Sequence, residues 1–281
     1  MFAPYLARWG LVPDGEPIVT PSSRLLPVRR GDEPAMLKIA TEEEERWGGL
    51  LMVWWDGAGA ARVLAHDDDA LLLERALGPA SLVELARSGR AGDDEASRIV
   101  CAAAAKLHAT DGRPPPPPLI PLDRWFTELE PAAERHGGVL RLAAATARGL
   151  LAAPREVVPL HGDLHHGNVL DGGPRGWLAI DPKRLVGERG FDVANLFCNP
   201  DLETAAAPGR LARQADVVAA AAGLERARVL RWVLAYAGLS AAWTLGDGEH
   251  PEIALAVAEI AATELANGTK PDGIPQRRSS P

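Results

Sequence analysis

No stretch of the 281-residue chain holds the roughly 18 to 20 consecutive apolar residues needed to cross a bilayer. The opening MFAPYLARWGLVPDG has prolines at 4 and 13, an arginine between them and no signal-peptide layout, so a cytoplasmic protein without membrane contact is expected. Cysteine is nearly missing: Cys101 and Cys198 permit one bridge and no disulfide framework, which suits a reducing compartment. Lysine is scarce too. Four lysines stand beside 26 arginines, a bias that makes each surviving lysine more informative. There is no Gly-x-Gly-x-x-Gly and no internal repeat. Excess positive charge is also lacking. The net charge of −8 speaks mildly against nucleic acid as a partner and is compatible with a cationic small substrate. What is present, 47% hydrophobic and 24% charged residues, is ordinary for a globular protein able to bury a core in one large domain or two lobes.

The most informative stretch runs from Val158 to Pro200. An apolar approach delivers the tight loop His161-Gly162-Asp163-Leu164-His165-His166-Gly167-Asn168. Val169-Leu170 then enters a Gly172-Gly173-Pro174 turn and returns as Trp177-Leu178-Ala179-Ile180, which predicts a β-hairpin. Asp163 and Asn168 precede the hairpin and Asp181 follows it. Asp-x-x-x-x-Asn is the spacing of a kinase catalytic loop, in which the Asp takes or orients the acceptor proton and the Asn holds magnesium. Asp181 would add the second oxygen ligand that Mg²⁺ prefers. Two other readings compete. His161, His165 and His166 with Asp163 could form a metal-dependent hydrolase cluster, although HExxH spacing is absent. The chain could also be a kinase-like module that binds nucleotide without transferring phosphate, a reading supported by the missing glycine-rich loop.

Upstream, short strands are expected at Pro17–Val19, Arg24–Val28, Ala35–Ile39, Ala61–Ala65 and Ala70–Arg75, after an irregular start in which Trp9 and Leu11 dock on the body. Lys38, between Leu37 and Ile39, fits the strand lysine that pairs with nucleotide phosphates. A helix should begin at the N-cap Thr41, with Trp47, Leu50, Leu51 and Trp54 on its buried face. Extending that stripe backwards selects Glu44, then Glu43, as the partner of Lys38. Ser81 should cap a helix through Arg87, and Asp93 a longer one through His108. Five prolines between Arg113 and Pro118 read as a polyproline connector. Further helices are expected at Leu122–His136, Leu140–Ala152, Pro208–Ala222, Glu225–Thr244 and Glu252–Ala266. Trp232, Tyr236, Leu239 and Trp243 form a core stripe, and 268–281 a mobile tail.

HGDLHHGN followed by IDPKRLVGERGFDVANLFCNP resembles the aminoglycoside phosphotransferase superfamily, and within it the streptomycin 6-phosphotransferase and hydroxyurea kinase branch. The likeness extends from about Glu33 to about Ala262. It implies an α+β, two-lobed, protein-kinase-like fold: a small antiparallel-sheet lobe over residues 1–74, a hinge at 75–78, and a mostly helical lobe at 79–267. It further implies ATP and Mg²⁺ in the cleft, Ser22 and Ser23 in the loop over the phosphates, and main-chain contacts from Glu74 and Ala76 to adenine. His161 and Asp192, the latter opening a helix, would support the catalytic loop. Glu188, Asn199 and Asp201 would face a cationic acceptor. The implied activity is transfer of the ATP γ-phosphate to the 6-hydroxyl of the streptidine ring of streptomycin by a monomer, with hydroxyurea as the alternative acceptor.

Overall fold

The structure, a computed structural model, describes residues 1–109 and 118–268, and only the backbone of Glu43, Glu44, Glu45 and Trp47. The expected polyproline connector and C-terminal tail lie outside the described residues but for Pro118 and Gly268.

The first lobe carries α1 (Ala3–Trp9), β1 (Leu11–Pro13), β2 (Ile18–Val19), β3 (Ser23–Arg30), β4 (Glu33–Ala40), α2 (Glu43–Trp55), β5 (Val63–His66) and β6 (Ala70–Glu74). Its antiparallel sheet has the order β1-β3-β4-β6-β5, with β2 also on the outer edge of β3. Alternation along the strands divides two faces. Leu26, Val28, Leu37, Ile39 and Leu72 turn to a small core closed by Phe2, Leu6 and Trp9 of α1 and its flank. The intervening positions, Met36, Lys38, Leu71 and Leu73, occupy the opposite face, where Met36, Leu71 and Leu73 join the large core of the molecule. The start of the chain is thus a helix and an edge strand rather than irregular, with Leu11 and Trp9 packed against that small core.

Helix α2 begins at Glu43 with Glu42 at its cap and no capping side chain, so Thr41 does not hold its end. It buries Leu51, Met52 and Trp55, while Leu50 and Trp54 are half-buried. The buried face is therefore rotated from the predicted stripe. Gly48 explains why: a β-carbon there would collide with the carbonyl oxygen of Pro182. Only glycine lets the helix come down onto the segment at Pro182.

The second lobe contains α3 (Leu82–Arg87), α4 (Arg90–His108), β7 (Ile120–Pro121), α5 (Leu122–Trp125), α6 (Leu129–His136), α7 (Gly138–Ala152), β8 (Val157–Leu160), β9 (Val169–Asp171), β10 (Trp177–Ala179), β11 (Leu185–Glu188), α8 (Leu202–Ala205), α9 (Arg210–Ala222), α10 (Arg226–Gly246) and α11 (Glu252–Gly268). Ser81 caps α3 by accepting from the Glu84 amide. Asp93 caps nothing. It lies inside α4, buried, where Arg210, Arg213 and Gln214 of α9 all donate to its carboxylate. Burial alone would raise its pKa; the Arg210 hydrogen bonds outweigh that and hold it below the usual carboxylate value. Trp232, Tyr236 and Leu239 of α10 are buried, and Phe191 packs edge-on against both aromatic rings. Both cysteine thiols are free. Among the described residues no helix is long and apolar enough to cross a membrane.

The lobes are joined by more than the chain. Gly59 and Ala61 exchange backbone hydrogen bonds with Ala179 on β10, and Trp55 Nε1 donates to the Leu107 carbonyl of α4. Leu51, Met52 and Trp55 belong to the same apolar core as α4, α7 and α10.

Candidate active site

β9 and β10 pair antiparallel, Asp171 with Trp177 and Val169 with Ala179, giving the expected hairpin. Its register sets Asn168 before the first strand and Asp181 after the second, and the Ile180 amide closes the end by donating to the Asn168 carbonyl at 3.0 Å. Asp181 adopts φ 58°, a left-handed conformation that is uncommon outside glycine.

The loop from His161 to Asn168 is suspended from buried groups. Asp192 accepts from the amides of His161 at 2.9 Å and Gly162 at 2.7 Å, and its Oδ2 also lies 2.7 Å from His108 Nε2 at the end of α4. Burial would raise the Asp192 pKa, but the His108 hydrogen bond, the charges of His108 and His161 and the Gly162 amide bring it below the ordinary value. Asp192 does not open a helix; the segment from Arg189 to Cys198 makes two short 3₁₀ turns. His161 is fully buried and stacked on Trp55 with the ring centroids 6.2 Å apart. Its Nδ1 accepts from the Asp163 amide and its Nε2 lies 2.8 Å from the Ile180 carbonyl, so Nε2 carries the proton. Burial keeps this imidazole neutral by lowering its pKa. Gly162, at φ 83°, has no room for a side chain between Leu185 and Lys183.

Asp163 is one-third exposed. Its Oδ1 accepts from Asn195 Nδ2 at 2.9 Å, and its Oδ2 faces Asn168 Nδ2 at a longer 3.3 Å. Asn168 Nδ2 also donates to the Asp163 carbonyl at 2.8 Å. Tyr236 is buried close by; burial first, then the Asp163 charge, raises its pKa well above the ordinary tyrosine value. Lys38 Nζ crosses from β4 to Asp181 Oδ1 at 2.6 Å. Asn168 and Asp181 offer hard oxygen donors of the kind Mg²⁺ takes. Among the described residues, no hydrogen bond falls on Asn168 Oδ1 or Asp181 Oδ2, so both fit such an ion. The side chain of Glu44, expected to pair with Lys38, lies outside the described atoms.

The three histidines do not converge. His165 Nδ1 accepts from the Gly167 amide, while His166 is buried beside the Asp93–Arg210 pair with neither ring nitrogen partnered. Among the described residues no group of three His, Cys, Asp or Glu side chains could hold a metal, which removes the basis of the hydrolase reading.

Other expected contacts fall differently. Ser22 lies in the β2–β3 turn, its carbonyl accepting from the Thr41 amide. Ser23 is turned inward and buried, with its hydroxyl 2.9 Å from Thr20 Oγ1, so it does not face a phosphate. The Glu74 amide is taken by the Arg62 carbonyl and its side chain by Arg175, whereas Ala76, just after β6, makes no such bond among the described residues. Glu188 is not directed at an acceptor. It is 2% exposed, paired with Arg228, and accepts from Trp232 Nε1 at 2.8 Å and the Arg155 amide at 2.9 Å. A carboxylate whose charge and lone pairs are so satisfied has nothing left for a ligand. Asn199 spends both Nδ2 bonds on Asn195. Asp201 caps α8 through the Thr204 amide and pairs with Arg87 at 2.8 Å, interactions that lower its carboxyl to about 2. It borders a cavity of about 620 Å³ between α3–α4 and α8–α9 that also touches Glu203 and Asp93.

Sequence reasoning assigned no role to Asn195, His108 or Trp55. The signal for Asn195 is its position three residues after Asp192, one helical turn on and therefore on the same side of the segment.

The family described as aminoglycoside/hydroxyurea antibiotic resistance kinase matches residues 8–248. Streptomycin 3''-kinase of Klebsiella pneumoniae is 55% identical over 266 residues, covering 93% of this chain and 98% of that protein. Streptomycin 6-kinase of Streptomyces griseus is 32% identical, covering 92% of this chain and 85% of its own. Among solved structures, an aminoglycoside phosphotransferase APH(4)-Ia in ternary complex with ADP and hygromycin B superposes with a TM-score of 0.64 at 14% identity, over 96% of this chain and 99% of that one. With the His161–Asn168 loop, a carboxylate hairpin and a strand lysine meeting between a small sheet lobe and a helical lobe, the chain belongs to the aminoglycoside/hydroxyurea antibiotic resistance kinases, a branch of the aminoglycoside phosphotransferase superfamily with the protein-kinase-like fold.

Proposed function

We propose that this kinase transfers the γ-phosphoryl group of ATP to a hydroxyl of streptomycin and thereby confers resistance to it. The observation that carries the reading is the 55% identity, along nearly the whole of both chains, to a streptomycin 3''-kinase. That weighs toward the 3''-hydroxyl. The streptidine 6-hydroxyl expected from the sequence is the second reading, supported by the 32% identity to a streptomycin 6-kinase.

In this reading residues 1–74 bind the nucleotide and 79–267 the acceptor. Lys38 pairs with nucleotide phosphates and Ala76 offers main-chain contacts to adenine. Asn168 and Asp181 would hold Mg²⁺, which supplies charge neutralisation for the phosphates. The acceptor oxygen forms a bond to the γ-phosphorus as the bond to ADP breaks, and its proton passes to Asp163. The cavity beside α8 carries Arg87, Arg90, Arg210 and Arg213 as well as Asp93, Asp201 and Glu203, so it offers a cationic drug no excess of negative charge. Of the sequence-predicted acceptor residues, Glu188 and Asn199 are spent inside the fold and Asp201 is paired with Arg87.

The test is product analysis. Purified protein is given ATP, Mg²⁺ and streptomycin, and phosphorus–proton correlation NMR locates the ester. Phosphate on the 3''-oxygen is expected; phosphate on the 6-oxygen favours the second reading. No transfer to streptomycin at millimolar drug, with ready transfer to hydroxyurea, would overturn both.

A further inference from the structure

We propose that Asn195 and Asn199 form a two-amide relay that positions Asp163, and that Oδ2 of Asp163 is the oxygen that receives the acceptor proton. The inference rests on the phosphotransferase reading above. An asparagine amide has a donating and an accepting end, and which end faces a neighbour is set by its other partners. Asn199 Nδ2 donates to Asn195 Oδ1 at 2.9 Å and to the Asn195 carbonyl at 3.0 Å. With Oδ1 so occupied, Asn195 presents Nδ2 to Asp163 and donates to Oδ1 at 2.9 Å. Asn195 is 5% exposed, so solvent does not compete for either end.

The two oxygens of Asp163 are thereby made unequal. Oδ1 is committed to a short bond, whereas Oδ2 has only the 3.3 Å approach of Asn168 Nδ2. Oδ2 keeps the lone pairs for a proton. Asn199 and Asn195 touch no reacting atom; they act through Asp163.

The discriminating variant is Asn199→Asp. An ionised aspartate at 199 can accept but not donate, so it draws Asn195 Nδ2 to itself and turns Asn195 Oδ1 toward the Asp163 carboxylate. Asn199→Ala merely removes the constraint. We expect kcat for streptomycin phosphorylation to fall tenfold or more in Asn199→Asp and less than fivefold in Asn199→Ala, with the ATP KM within twofold of the parent in both. In an Asn195→Ala background, Asn199→Asp should cause no further loss. Position 199 is half-buried, so the Asn199 variants should fold, and their thermal melts are recorded alongside. Equal kcat in Asn199→Asp and Asn199→Ala, or losses that multiply in the double variant, would overturn the relay. A parent that transfers phosphate to no acceptor would instead overturn the kinase reading and the relay with it.

Discussion

Lys38 and Asp181 lie 143 residues apart in the chain and meet at 2.6 Å across the junction of the two lobes. Lys38 is 5% exposed, whereas the Asp181 side chain is 33% exposed. The lysine is thus held at a fixed point on the sheet, and the carboxylate is the partner that reaches solvent. In the proposed kinase reading, a nucleotide would meet there a cation already oriented and a carboxylate already beside it.

Lys38→Met keeps the length of the side chain and removes the charge. Hydrogen bonds to charged groups contribute about 1.5–3 kcal/mol, so the ATP KM should rise roughly tenfold to a hundredfold, read by steady-state kinetics and by calorimetric nucleotide titration. An unchanged ATP affinity would remove Lys38 from the nucleotide site.

Asp163→Asn preserves shape and loses the proton acceptor. Turnover should fall by about 10² or more, with nucleotide affinity nearly intact. A variant retaining a tenth of the parental kcat would exclude Asp163 as the base.

Glu188→Gln tests a structural ion pair. Leaving Arg228 buried without its counter-charge should destabilise the fold by about 3–5 kcal/mol, seen as a lowered denaturant midpoint. Streptomycin KM in the folded protein should stay within twofold, whereas a large KM increase with unchanged stability would return Glu188 to the acceptor site.

His166 makes acid stability measurable at one residue. Burial, followed by the Arg210 charge, depresses its pKa to about 4. The unfolded chain binds a proton near pH 6.5 that the folded chain refuses, so this contribution is fully present above pH 6.5 and is lost as pH falls toward 4. The full window corresponds to about 3 kcal/mol. Urea denaturation at pH 7 and pH 4.5 should show a smaller acid loss in His166→Gln than in the parent, while equal losses would remove His166 as the cause.

The loop, the hairpin and the helical stripe of α10 were legible because each is written in neighbouring residues: turn formers between apolar runs, or apolar positions at helical spacing. Charged residues whose partners are remote were not. Asp93 looked like a cap because Arg210, 117 residues away, gives no local sign of itself. Glu188 looked like an acceptor contact for the same reason, since Arg228 and Trp232 reach it from α10. Asn195 had no visible role until folding placed it against Asp163. Helix α2 was found but turned by a fraction of a revolution, because Gly48, rather than a large apolar residue, decides how it approaches Pro182.

The attachment of α2 to the second lobe limits the ways in which the cleft can open. Its apolar face lies in the large core, Trp55 is tied to Leu107, and the chain leaving it is paired with Ala179 before β5 begins. Residues 1–74 are therefore not one unit set apart from the second lobe. Met36 of β4 and Leu71 and Leu73 of β6 lie in that same core, so α2 and the inner face of the sheet are anchored together to the second lobe. What stands clear of that core is the outer edge of the sheet, where Val12, Ile18 and Val19 of β1 and β2 are exposed.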